Sequence, residues 1–310
     1  MTPTEPTPSA TPAQQRQTQS YLRDLFRQHG LMPKKKLGQN FLVDLNLIDL
    51  LVRGAEIDRN DLVLEVGTGT GSLTSRLAAA AGCVLTVEID SSFGEFAERI
   101  AGKVPHVRFH AGDILKNKNH LDPKVLAEIA EMRDKHRAKR LKLVANLPYA
   151  VATPVISNLL LSDLRWERMV VTVQWEIADK MTASPSTKAY GALSVLVQSL
   201  ADVEVLRKLP PDVFWPKPKV DSGIIRIIPN PAKRALVRDP QAFRIFLRDL
   251  YSHRRKNLRG ALLAMPDSDG DKPKVDALIA RLGYDGTERA ETLDVKQHRE
   301  LCEAVRAEKK

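Results

Sequence analysis

Apolar residues in this chain fall into short continuous runs separated by stretches of helical spacing. The runs are Leu62-Val63-Leu64-Glu65-Val66, Val84-Leu85-Thr86-Val87, residues 107–110 and Leu141-Lys142-Leu143-Val144-Ala145. Between them, residues 73–81 and 92–100 repeat apolar positions at helical intervals. Strands covered on both faces read as continuous apolar runs, and the alternation with helices predicts an α/β domain built on a parallel sheet. Residues 169–175 and 224–228 are further strand candidates. Upstream, residues 21–28 predict a short amphipathic helix with Leu22, Leu25 and Phe26 on one face, ended by Gly30. Residues 45–52 predict another. The stretch 115–141, with Lys124, Glu128, Glu131, Asp134 and Lys135, reads as a charged, mainly helical surface segment.

Punctuation divides the pattern. Residues 1–17 are rich in Pro, Thr, Ala and Gln and carry almost no apolar bulk, so a disordered tail is expected over 1–20. Pro229-Asn230-Pro231 marks a boundary, after which the spacing is helical. The expected organisation is an α/β domain over 21–229 and a small all-α domain over 230–310. No run approaches the roughly 18 apolar residues of a membrane span, and the tail lacks the basic start and apolar run of a secretory signal. A cytoplasmic protein with no membrane partner is expected.

Charge adds a partner class. Lysine and arginine number 48 against 38 acids, a net charge of +10, which favours a polyanion such as nucleic acid. The cations cluster at Lys34, Lys35 and Lys36, and again at Arg244, Arg248, Arg254, Arg255, Lys256 and Arg259. Asp249 is the only acid between Arg244 and Arg259. Both sets are expected to hold phosphates. Cys83 and Cys302 lie far apart without metal-ligand spacing, so reduced thiols and no metal are expected.

Two motifs carry chemistry. Glu65-Val66-Gly67-Thr68-Gly69-Thr70-Gly71 follows a strand and opens a helix. Glycines there let the backbone turn tightly and approach a ligand. Glu88 closes the next strand, about 20 residues on, where a carboxylate meets a ribose hydroxyl pair. Asp113 closes the third strand and can accept from an adenine amino group. The pattern predicts a nucleoside cofactor. The spacing G-x-G-x-G, with Ser72 beyond it, departs from the G-x-G-x-x-G of dinucleotide sites.

Asn146-Leu147-Pro148-Tyr149 follows the fourth strand and so falls at the carboxyl edge of the sheet, where α/β proteins bind ligands. An exocyclic adenine amine is a poor nucleophile because its lone pair is delocalised into the ring. The side-chain carbonyl of Asn146 and the main-chain carbonyl of Leu147 can each accept one of its N–H bonds, favouring a lone pair aimed at a methyl donor. Pro148 holds the turn, and the Tyr149 ring can stack on the base.

These stretches stand in the order found in the KsgA family of ribosomal RNA adenine dimethyltransferases, which the chain closely resembles. The resemblance runs from residue 34 to about 260. Besides the two motifs it rests on Leu37-Gly38-Gln39-Asn40-Phe41-Leu42, Val87-Glu88-Ile89-Asp90, Gly112-Asp113, Thr153-Pro154 and Lys188-Ala189-Tyr190-Gly191-Ala192-Leu193-Ser194. Phe214-Trp215-Pro216-Lys217-Pro218-Lys219-Val220-Asp221-Ser222 and Arg254-Arg255-Lys256-Asn257-Leu258-Arg259 complete it.

The resemblance implies a Rossmann-like methyltransferase domain with a small all-α C-terminal domain, and S-adenosylmethionine as methyl donor. It implies N6,N6-dimethylation of two adjacent adenines in the hairpin loop near the 3′ end of small-subunit rRNA, within the immature small ribosomal subunit. By position it assigns cofactor contacts to Gln39, Asn40, Leu42, Gly67, Gly69, Glu88, Ile89, Asp113, Ile114 and Asn146. It assigns catalysis to Asn146, Leu147, Pro148 and Tyr149, and to Phe214 the covering of the target base's other face. Such a base must leave its stack to reach Asn146. Nothing in the chain points to an oligomer interface, and a monomer is expected.

The chain departs from the family at Leu37, often Phe, at Trp175, commonly Lys, and at Ala150, frequently Asn. The tail and residues 116–140 lie outside the family pattern. Two rivals share the scaffold. A large-subunit rRNA adenine methyltransferase usually has Lys at the position of Thr70 and lacks the 254–259 pattern. A non-catalytic RNA-binding assembly or transcription factor has no need of both Asn146 and Tyr149. Each rival's distinguishing feature is absent.

Overall fold

A computed structural model describes residues 19–101, 104–266, 268 and 270–308; the side chains of Lys35 and Ala101 are outside that description. The expected tail lies outside the described residues as far as residue 18. Its last two positions, Gln19 and Ser20, already belong to α1 (Gln19–His29).

The described chain packs as two units. Unit 1 holds the described residues up to Asn158, with Leu164–Gln174 and Leu206–Arg226. Unit 2 holds Leu159–Asp163, Trp175–Val205 and the described residues from Ile227 onward. Residues 175–205, expected in the first domain, thus pack with the second unit. The turn at Pro229-Asn230-Pro231 marks where the chain finally leaves the sheet; packing divides the chain earlier.

In unit 1, α1 leads to β1 (Phe41–Leu42) and α2 (Leu45–Gly54). There follow β2 (Asp61–Val66), α3 (Ser72–Ala80), β3 (Cys83–Glu88), α4 (Ser91–Ala101) and β4 (Val107–Ala111). A short hairpin of β5 (Leu115–Asn117) and β6 (His120–Leu121) precedes α5 (Pro123–Lys135), β7 (Arg140–Asn146), α6 (Ala152–Leu161) and β8 (Trp166–Gln174). After α7 (Trp175–Thr182) and α8 (Ala192–Gln198), both in unit 2, come β9 (Ala201–Leu209), β10 (Phe214–Trp215) and β11 (Ser222–Pro229).

Seven strands form one sheet in the order β4-β3-β2-β7-β8-β11-β9. The pairs β3–β4, β2–β3, β2–β7 and β7–β8 are parallel. Every residue of β2 and β3 is buried, which is why both read as unbroken apolar runs. The strand order reverses about β2, which has β3 on one side and β7 on the other. A reversal of this kind opens a crevice at the carboxyl ends of the strands. The glycine loop leaves β2 and the Asn-Leu-Pro-Tyr turn leaves β7, so both border that crevice.

The amino edge carries a buried ionic network instead. Arg140 Nε meets Asp61 at 2.6 Å, and the buried Lys142 meets Asp61 at 3.0 Å and Glu167 at 3.1 Å. Lys142 also donates to the carbonyl of Glu56 at 2.6 Å. Removing one partner would strand a buried charge, so the network pins the register of β2, β7 and β8.

Some strands were not predicted from the pattern. They are the hairpin β5–β6, the antiparallel bridge β1–β10 (Leu42 opposite Phe214), and β9. The strand expected at 169–175 starts earlier, at Trp166, and Trp175 opens α7.

Among the described residues after Pro229 unit 2 has no strand. It contains α9 (Pro231–Ala235), α10 (Pro240–Ser252), α11 (Leu258–Leu263), α12 (Lys272–Leu282) and α13 (Val295–Ala307). Asn230, Asp239, Asn257, Asp271 and Asp294 cap them, each side chain accepting a first-turn N–H. His298 is buried within this unit. Its Nδ1 lies 2.8 Å from the Asp294 carbonyl, which only accepts, so Nδ1 carries the hydrogen and Nε2 accepts from the Tyr251 hydroxyl at 3.1 Å. Burial pushes its pKa down to about 4. Cys83 and Cys302 are buried and form no disulfide among the described residues. No helix among the described residues is long and apolar enough to cross a membrane.

Candidate active site at the carboxyl edge of the sheet

Gly67, Gly69 and Gly71 take φ values of +86°, +55° and +78°, the left-handed region in which a side chain is strained. A Cβ on Gly69 would lie 3.0 Å from the Phe41 ring, and one on Gly67 would lie 3.3 Å from Pro148. The loop therefore packs closely against both β1 and the turn after β7.

Glu88 is buried at the end of β3. Its two oxygens accept the N–H groups of Gly69 and Asp90, both at 3.0 Å. Burial raises its pKa above the usual carboxylate value, and the backbone donors oppose the rise. Between the buried Glu88 and Asp90, Ile89 is 50% exposed, an apolar face on a polar rim. Asp113 spends Oδ1 on the Leu115 N–H at 2.9 Å. Its other oxygen has no partner among the described residues, and Ile114 beside it is buried.

Glu65 heads the glycine motif but has no role assigned from the sequence. It is fully buried, with Oε2 accepting from the Thr74 hydroxyl at 2.6 Å and Oε1 left without a partner. Burial pushes its pKa up to about 8. It lines a cavity of about 40 Å³ together with Leu42, Gly67, Gly69 and Asn146. Ordinary strand burial and a polar lining give the same apolar run, so the sequence offered no signal for this role.

Lys34 and Gln39 are committed differently from expectation. Lys34 Nζ pairs with Asp90 at 2.9 Å, and Gln39 Nε2 donates to the other Asp90 oxygen at 3.2 Å. Gln39 Oε1 accepts the Lys34 N–H at 2.8 Å. Lys34 was assigned to phosphate and Gln39 to the cofactor; here a buried carboxylate distant in sequence takes both. Lys36 is exposed, and the Lys35 side chain is outside the described set.

Asn146 donates from Nδ2 to the main-chain carbonyl of Asn40 at 2.8 Å. A carbonyl can only accept, so this contact fixes which end of the amide is nitrogen. Oδ1 is the end left without a partner among the described residues. Leu147 is buried, Pro148 and Tyr149 half-buried. The Tyr149 hydroxyl lies 2.5 Å from that of Ser222, which is buried at the start of β11. Asn40 was foreseen, but not as a carbonyl acceptor; Ser222 lay within a matching stretch without being assigned a role.

Phe214 does not present a ring to this edge. It is fully buried, bridged to Leu42 across β1–β10, in a core with Leu47, Ile48 and Leu51. The two-residue bridge that turns it inward has no periodicity to betray it.

The second basic cluster is largely neutralised within unit 2. Arg248 pairs with Asp249 at 2.7 Å, Arg254 with Glu291 at 2.7 Å, and Arg259 with Asp276 through two contacts. Arg244 is half-buried, and burial lowers its pKa. Arg255 and Lys256 are exposed and have no ion pair among the described residues. Glu291 and Asp276 lie outside the 244–259 window, so counting acids inside it missed them. A larger groove of about 650 Å³ in unit 2, lined by Met181, Lys233 and Arg299 among others, holds none of the expected site residues. No cluster suited to a metal ion occurs among the described residues.

A crevice that can seat a nucleoside, bordered by an amide with a free carbonyl oxygen, is the layout of a Rossmann-like methyltransferase. Comparison with known proteins narrows this. The model of the family described as Ribosomal RNA adenine dimethylase matches residues 31–305. The chain is 38% identical over 284 residues to a protein named Ribosomal RNA small subunit methyltransferase A from Pelotomaculum thermopropionicum, covering 91% of this chain and 95% of that one. It is 37% identical over 289 residues to a protein of the same name from Lactiplantibacillus plantarum, covering 91% and 93%. Among solved structures, a dimethyladenosine transferase from Plasmodium falciparum superposes with a TM-score of 0.66 at 24% identity, covering 83% of this chain and 94% of that one. The 23S rRNA methyltransferase ErmE superposes at 0.58 and 23% identity, covering 86% and 99%. These two likenesses establish the fold. The chain belongs to the ribosomal RNA adenine dimethylase family.

Proposed function

We propose that the chain binds S-adenosylmethionine at the glycine loop and dimethylates N6 of two adjacent adenines in the 3′-terminal hairpin loop of small-subunit rRNA. We place it as a cytoplasmic monomer acting on the immature small subunit. The relatives' small-subunit names support the choice of RNA. The observation that carries the chemistry is the Asn146–Asn40 hydrogen bond, which leaves Asn146 Oδ1 as a fixed, unspent acceptor.

The residues present fit this cofactor. Glu88 keeps lone pairs for ribose hydroxyls beyond the two backbone donors it already holds. Ile89 offers an exposed apolar face to an adenine ring, and Asp113 a spare oxygen to its amino group. Gly67 and Gly69 let the loop turn through the left-handed region beside the crevice. When bound, S-adenosylmethionine supplies an electrophilic methyl group.

The chain's own residues prepare the acceptor. Asn146 Oδ1 and the Leu147 carbonyl accept the two N–H bonds of the target amine, drawing its lone pair out of conjugation. Tyr149 offers its ring for stacking. After one transfer a single N–H remains for either carbonyl to hold, so the same pair serves the second transfer.

The test is transfer of tritiated methyl groups from S-adenosylmethionine to small subunits that lack the modification, followed by nucleoside analysis. Label in N6,N6-dimethyladenosine is expected. Label confined to large-subunit RNA would move the protein to the other rRNA, and no transfer despite binding would make it a non-catalytic factor.

A further inference from the structure

The hairpin β5–β6 stands just beyond Asp113 and Ile114, where β4 ends, and its tip carries none of the motifs on which the resemblance rests. Leu115 and Leu121 anchor it in the core, and residues 116–120 between them are all exposed: Lys116, Asn117, Lys118, Asn119 and His120. Neither lysine has an ion pair among the described residues. The flanking acids are committed, Asp113 to the Leu115 N–H at 2.9 Å and Asp122 to the Lys124 N–H at 2.7 Å as the cap of α5.

The tip is also held rigidly. Asn117 Oδ1 accepts the Asn119 N–H at 2.9 Å and lies 3.0 Å from His120 Nδ1. Asn158 Nδ2 donates to the Lys118 carbonyl at 3.1 Å, tying the tip to α6, the helix that follows the Asn-Leu-Pro-Tyr turn. The Asp122 N–H donates to the Ile114 carbonyl at 2.9 Å and closes the base. A preorganised tip loses little entropy on binding.

We propose that this hairpin is an RNA contact, with Lys116 and Lys118 on backbone phosphates and the exposed amides and imidazole on phosphate or sugar oxygens. The inference rests on the rRNA reading above. Its chemistry favours a nucleic-acid backbone over a protein partner, because residues 116–120 include no apolar side chain. Of the three lysines that precede the cofactor motif, Lys34 is held by Asp90. The hairpin supplies unpaired cations on the same side of the sheet, placed to fix the register of the strand whose base enters the site.

The test compares Lys116→Ala/Lys118→Ala with Lys135→Ala/Lys139→Ala, an equal charge loss at the opposite, amino edge of the sheet. Binding to unmodified small subunits is measured across a salt series, alongside S-adenosylmethionine affinity and thermal melts. The hairpin variant should bind about tenfold more weakly near 0.1 M salt, its log–log salt slope shallower by about 0.7–0.9 per lysine, with cofactor affinity and melting as in wild type. The control pair should keep the wild-type slope. Hairpin and control variants that both bind like wild type, while wild type methylates the particle, would overturn the hairpin contact alone. Equal losses in both pairs would reduce it to net charge. Wild type failing to methylate the particle would instead remove the rRNA reading on which the inference rests.

Discussion

The phenolic oxygen of Tyr149 and the hydroxyl of Ser222 lie 2.5 Å apart, with Ser222 buried beneath the turn that Tyr149 ends. The two residues are 73 positions apart in sequence, and the bond ties the turn after β7 to the first residue of β11. A ring that stacks on a base must be held in one plane, and this bond holds it. Tyr149→Phe and Ser222→Ala should each lower kcat about tenfold with little change in the KM for cofactor. Tyr149→Phe leaves the buried Ser222 hydroxyl without this partner, at a stability cost of about 1–3 kcal/mol. The double variant should be no slower than either single one. Multiplying losses would show that the two hydroxyls act separately.

Lys34 is bound in this structure to the rim of the proposed cofactor site. Its ion pair with Asp90, shared with Gln39, braces the residue after Ile89. Lys34→Ala should weaken S-adenosylmethionine binding about tenfold, the loss of a charge-assisted hydrogen bond to a buried carboxylate. The salt dependence of RNA binding should not change. Calorimetry and a salt titration separate the two, and a shallower salt slope with unaltered cofactor affinity would return Lys34 to the RNA surface.

Glu65 sets a pH dependence. Its pKa is pushed up to about 8 by burial, so the folded state keeps a proton that the unfolded state releases nearer the ordinary carboxylate value. Over that interval the unfolded state binds fewer protons, and stability falls as pH rises toward about 8. Glu65→Gln removes the titration. Its melting temperature relative to wild type should rise between about pH 5 and about pH 8.5. A constant difference across that range would mean that Glu65 is ionised in the folded protein.

In unit 2, the unpaired cations should matter most to RNA. Arg255→Ala/Lys256→Ala should weaken binding to the small subunit and lower the salt slope by about 1.4–1.8 in all. Arg259→Ala, which breaks the pairing with Asp276, should alter the slope less. Equal slopes for the two variants would show that pairing in the free protein does not decide which arginines reach phosphate.

Much of this was legible in the sequence because it is local. The buried strands announce themselves as runs, and the glycine loop, Glu88, Asp113 and the Asn146 turn sit at strand ends that the runs fix. What was not legible depends on partners distant in the chain. Asp90 captures Lys34, Glu291 captures Arg254, and the Leu42–Phe214 bridge turns an expected stacking ring into the core. The hairpin at 115–121 was read as part of a helix because its polar tip has no apolar period. Domain division fared similarly: residues 175–205 follow a sheet strand in sequence but pack with the helices that come after them.

The central claim is that Asn146 presents an oriented carbonyl to the target amine. Single-turnover methyl transfer to unmodified small subunits, with Asn146→Ala compared against wild type, tests it most directly. The account predicts a rate at least about a hundredfold lower, on the scale of losing one preorganised polar contact in a reaction site, with particle binding retained. A variant that binds the particle and transfers methyl groups at the wild-type rate would contradict it.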